Sequence, residues 1–150
     1  MIAGRALFGS ANCANCHGGP QWTRSRINFT PPPAAAAIVR AQLIDQLRPV
    51  GTFDPAAFNE VRQEVRQNVV AGSFSPLGAD GFSPAPLLSL FAFPQTFFHN
   101  GAANSLSAVL DNVTHRSAGT GGVDTLANPA DRQKLVQFLS SIDSGTVPFP

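Results

Sequence analysis

The chain's two cysteines stand three residues apart and lead directly into a histidine, in Cys13-Ala14-Asn15-Cys16-His17. Two thiols at that spacing admit three chemistries: a redox dithiol, half of a zinc site, or attachment of a c-type haem. A zinc site needs four ligands, and the other histidines are only His99 and His115. A thioredoxin-like dithiol belongs in a βαβ context, and no alternating strand pattern precedes Cys13. Haem attachment uses every residue of the motif. Thiols three apart lie on one helical turn, where each reaches a vinyl carbon. The histidine that follows points along the same face toward iron. The spacing favours one covalent haem c held by Cys13 and Cys16, with His17 as proximal iron ligand.

A second axial ligand must come from elsewhere in the chain. Methionine is the usual partner of histidine at such an iron, but the only methionine is Met1, at the start of the segment that carries the motif. Tyrosine is absent, and the only lysine, Lys134, falls inside the closing helical pattern. His99, His115 or an open position remain. Trp22 follows the motif closely and suits packing against the porphyrin or the core. Arg24 and Arg26 are candidates for the haem propionates, because a guanidinium meets a carboxylate bidentately.

These residues need short helices and long loops to position them. The 150 residues fit one domain, punctuated by 13 glycines and 13 prolines. Ile2–Asn12 reads as a helix leading into the motif, with Gly4 as a notch where a second helix can cross. Gly18-Gly19-Pro20 stops the motif helix, and Gln21–Pro33 reads as a haem-edge loop. Ala34–Leu47 and Pro55–Val70 each carry an apolar stripe at helical spacing. Leu87–Phe93 reads as a short helix, followed by the cluster Phe91, Phe93, Phe97 and Phe98 before His99. Ser105 caps a helix from Leu106 to about Val113, and 112–128 reads as a glycine-rich loop holding His115. Asn128 and Pro129 open a last helix whose apolar side is Leu135, Val136, Phe138, Leu139 and Ile142. The class is all-α.

Charged residues are 13% of the chain and the net charge is +1, against an average charged share near a quarter. This excludes a strongly basic nucleic-acid footprint and a polyanionic tail. No apolar run reaches the roughly 18 residues of a membrane span. No signal peptide is evident. The abrupt start suggests a domain excised from a larger protein.

A helix entering CxxCH, loops and short helices, and a closing amphipathic helix resemble the cytochrome c fold. That resemblance implies that the first and last helices cross near-perpendicularly, with Gly4 at the contact and Phe8 against Leu135, Phe138 or Leu139. A narrower likeness covers Ser83-Pro84-Ala85-Pro86-Leu87-Leu88 through Phe97-Phe98-His99-Asn100-Gly101-Ala102-Ala103-Asn104-Ser105-Leu106. It resembles the bacterial di-haem cytochrome c peroxidase family, as does Gly4-Arg5-Ala6-Leu7-Phe8 through Cys16-His17-Gly18-Gly19. With one CxxCH, the chain resembles one haem half of such a protein. In that family the histidine of the segment like Phe98-His99-Asn100-Gly101 lies near the haem without ligating it, and the distal ligand follows later. The family spacing lands on Val113, which cannot ligate. His115, two residues further, is the preferred distal ligand, with His99 second and an open position third.

The expected function is electron transfer by a mono-haem domain with two histidine ligands. It would serve a redox partner protein or a fused enzyme domain, with no nucleic acid and no membrane span. The resemblance implies a periplasmic or extracellular location, where covalent haem attachment is completed. The alternatives are a peroxidase-like enzyme with an open distal position and His99 as acid–base residue, and a gas-binding module.

Overall fold

The structure, a computed structural model, describes residues 1–24, 48–54, 56, 65–68, 73–76, 81–92 and 96–150. The expected helix Ala34–Leu47, Arg26, and most of the expected helix from Pro55 lie outside the described residues.

The first helix, α1, spans Ile2–Ser10. It closes on Asn12, whose φ is +54°. The Asn12 amide donates to the Gly9 carbonyl at 3.0 Å and the Cys13 amide to the Phe8 carbonyl at 3.1 Å. This paired closure satisfies carbonyls that a helix end leaves orphaned, and asparagine tolerates the left-handed conformation it needs. The chain turns there straight into α2, Ala14–His17, with Cys13 at its N-cap. Gly119 is pressed against this turn: a Cβ on it would lie 2.5 Å from the Asn12 carbonyl oxygen.

A short antiparallel hairpin follows, β1 at Val65–Asn68 and β2 at Ser73–Pro76, with Val65 opposite Pro76 and Asn68 opposite Ser73. It corrects the helical expectation over that part of Pro55–Val70. Val61–Val70 contains four valines, and β-branched residues lose rotamer freedom in a helix and suit strands. The expected helix Leu87–Phe93 reduces, among its described residues, to one 3₁₀ turn at Leu90–Ala92.

The second half is helical. α3 spans Leu106–Asp111, α4 Val113–Ser117 and α5 Pro129–Leu139. Ser105 accepts from the Ala108 amide at 3.1 Å, and Asn128 accepts from Ala130 at 3.0 Å ahead of Pro129. Both caps are where the sequence places them. The glycine-rich loop is shorter than expected, because Asn112 caps a further helix by accepting from the His115 amide at 3.0 Å.

α1 packs on α5. A Cβ on Gly4 would collide with the Lys134 carbonyl oxygen and lie 2.6 Å from Phe138 Cβ, so only glycine allows the crossing. Phe8 and Phe138 meet edge to face at 5.6 Å, an arrangement favoured by the ring quadrupoles. Trp22, Leu126, Leu135 and Ile142 complete a buried core. Among the described residues, no helix is long and apolar enough to cross a membrane.

Candidate functional site

The motif opens onto a cavity of about 540 Å³, within the range of small-molecule and cofactor sites. Cys13, Cys16 and His17 line it, as do His115, Phe98 and Leu110. Much of the remaining wall is apolar, from the 82–90 segment and from individual residues of α1, α3 and α5 such as Phe8, Val109 and Leu135.

His17 is held by its Nδ1 atom, 3.0 Å from the Ala85 carbonyl oxygen. A carbonyl only accepts, so Nδ1 carries the proton and the lone pair lies on Nε2. Burial, reinforced by His115, pushes the His17 pKa down to about 4. His17 is therefore neutral at neutral pH, the form in which imidazole ligates metals.

His115 sits on α4 rather than in a loop. Its ring centre is 6.3 Å from that of His17, with the rings inclined at 69°. With nitrogen–metal bonds of about 2.0 Å and about 1.2 Å from nitrogen to ring centre, two imidazoles on opposite sides of one metal have centres about 6–6.5 Å apart. Burial lowers the His115 pKa too, opposed by the Val109 carbonyl. Among the described residues its buried Nδ1 has no hydrogen-bond partner, the kind of orphaned polar atom that native structures rarely leave. Phe98, at φ +64°, sets its ring edge to face with His115 at 5.5 Å.

The other expected site residues divide. His99 lines the cavity, but its ring stacks on Phe82 with centres 3.7 Å apart, and Nδ1 lies 3.3 Å from the Thr52 hydroxyl. It ties two loops together. Trp22 lies in the core behind the cavity, edge to face with Phe8 at 5.8 Å and Phe138 at 5.9 Å. Arg24 does not reach the cavity wall: Nε donates to the Ala14 carbonyl at 3.3 Å and Nη2 to the Pro150 carbonyl at 2.8 Å. Arg26 is outside the described residues.

Two wall arginines escaped sequence reasoning. Arg116 is occupied, with Nη2 2.6 Å from Asp124 Oδ2 and Nη1 on the Leu110 and Asp111 carbonyls. Arg48 lines the cavity from a strand-like bridge to Phe82, a pairing across more than thirty residues that no local pattern reveals.

The site's electrostatics bear on the competing chemistries. Burial, aided by Cys16, pushes the Cys13 thiol up to about 11, whereas a redox dithiol needs its thiol lowered toward neutrality. Among the described residues, no three His, Cys, Asp or Glu side chains group as a metal-ion site, which a structural zinc would require. A haem asks the chain for two thiols and two axial nitrogens, and Cys13, Cys16, His17 and His115 fit that demand. Compared with protein-family models, curated proteins and solved structures, the chain matches none.

Proposed function

We propose that this chain is a mono-haem c-type cytochrome domain that passes single electrons, with a haem c bound through Cys13 and Cys16 and its iron held by His17 and His115. The observation that carries the reading is the 6.3 Å separation of two histidine rings that both line the cavity, together with the CxxCH cysteines. Haem, when bound, supplies one-electron chemistry at iron. The chain's own groups hold it and exclude water. His17 presents Nε2 with Nδ1 bonded to a carbonyl, an outer-shell contact that fixes tautomer and raises basicity. His115 fills the opposite position, which argues against peroxide or gas chemistry there. Replacing methionine by a second imidazole removes the ligand that raises potential in cytochromes c.

The sparse surface charge suits docking to a redox partner protein or fused enzyme domain through apolar and polar contacts, with little electrostatic steering. A periplasmic or extracellular site follows from where bacterial haem attachment is completed. The test is the protein produced with a haem-attachment system. After denaturation, its mass should include one haem, and its ferric spectrum should be low-spin. Two free thiols or a disulfide between Cys13 and Cys16 would refute the reading.

A further inference from the structure

The Ala85 carbonyl that holds His17 belongs to Pro84-Ala85-Pro86. Proline has no amide proton, so this segment has two fewer donors with which to anchor itself. Thr23 supplies one from another part of the chain. It is fully buried, at 0% exposure, and its Oγ1 donates to the Pro84 carbonyl at 2.6 Å. The next residue ties it to the motif, since the Arg24 amide donates to the Cys16 carbonyl at 3.0 Å. Thr23 and His17 thus ride on one substructure, and the hydroxyl of the first positions the carbonyl that orients the second.

We infer that Thr23 is a positioning residue that sets the electron-donating strength of His17 through Pro84–Ala85. The inference rests on the haem reading above. The Ala85 bond polarises the Nδ1–H group and makes Nε2 a stronger donor to a metal. Thr23→Val keeps the shape and removes the hydroxyl, leaving the Pro84 carbonyl without this donor. With this tie removed the segment shifts, the Nδ1 contact lengthens and Nε2 donates less.

The experiment compares the haem-loaded wild type with Thr23→Val and Thr23→Ser. The midpoint potential should move upward in Thr23→Val, the ferric low-spin electron paramagnetic resonance g values should change, and Thr23→Ser should return both toward wild type. Equal potentials and g values in all three would overturn the inference, even if Thr23→Val were less stable. A second reading does not depend on Thr23→Val folding: in the reduced wild type the His17 Nδ1 proton should exchange slowly with solvent. Exchange as fast as that of an exposed histidine would overturn the inference. A wild type without covalent haem overturns the haem reading and this inference together, whereas a haem-loaded wild type with an unresponsive potential overturns the inference alone.

Discussion

Adding one methyl group at Gly4 tests the frame that carries the CxxCH motif. At an open helical position, glycine to alanine stabilises by roughly 0.5–1 kcal/mol, through lower unfolded-state entropy and better propensity. Position 4 is not open. The new Cβ would collide with the Lys134 carbonyl oxygen and press on Phe138 Cβ from 2.6 Å. The first obstacle is α5 backbone, and the second is rooted in the core at 3% exposure, so neither can swing aside. The helices must separate, at an overpacking cost of about 1–3 kcal/mol. A clash with backbone belongs at the upper end, so the net loss is about 2 kcal/mol. In a domain of 150 residues, each kcal/mol lowers Tm by about 2–4 °C, giving a fall of about 4–8 °C. Thermal unfolding followed by far-ultraviolet circular dichroism reads it. Gly145→Ala is the control: its Cβ meets only Asp143 Oδ1 at 3.5 Å, and its effect should stay within about 0.5 kcal/mol. A Gly4→Ala protein that melts at or above the wild-type temperature would refute the tight α1–α5 crossing.

The remaining predictions concern ligands and charge. His115→Ala should convert the ferric spectrum to high spin and admit carbon monoxide, while His99→Ala, which removes the Phe82 stack and the Thr52 contact, should stay low-spin; the reverse pattern would make His99 the ligand. Cys13→Ala and Cys16→Ala should each retain haem by one thioether, and the double variant should release it on denaturation with acid and organic solvent. Asp124 is held below its ordinary pKa of 3.8, chiefly by the hydrogen bond from Arg116. That contribution to stability is present above 3.8 and is lost as pH falls through the lower folded-state value. Asp124→Asn should therefore flatten the acid limb of the stability curve, read by thermal melts across acidic pH, and an unchanged limb would show the pair to be inert.

Some of this architecture is legible from local pattern. CxxCH, the Ser105 and Asn128 caps, and the Gly4 notch each depend on neighbours in sequence or on a single steric demand. The misread parts depend on competition or distance. The valines of 61–70 satisfy a helical stripe and a strand equally, and Val65–Asn68 pairs as a strand. Arg24 sits beside the motif, yet its donors meet Ala14 and Pro150. Thr23 and Arg48 matter through partners far along the chain, and nothing in their immediate sequence marks them.

The placement of His115 shows how one cap changes a side chain's direction. The family spacing points to Val113, the first residue of α4 and 50% exposed. Successive residues on an α-helix turn by about 100°, so His115 lies about 200° round from Val113, on the opposite, inward face. That rotation exists only because Asn112 ends α3 and restarts the chain as a helix by accepting from the His115 amide. Arg116, clamped to Asp124 and to the carbonyls of Leu110 and Asp111, holds α4 against the end of α3. A loop at this point would leave His115 several rotamers and directions. The capped turn sets its ring 6.3 Å from that of His17, with a buried Nδ1 that no group among the described residues satisfies. A two-residue offset that looks like a departure in sequence is thus what the helix geometry requires to bring an imidazole to the cavity.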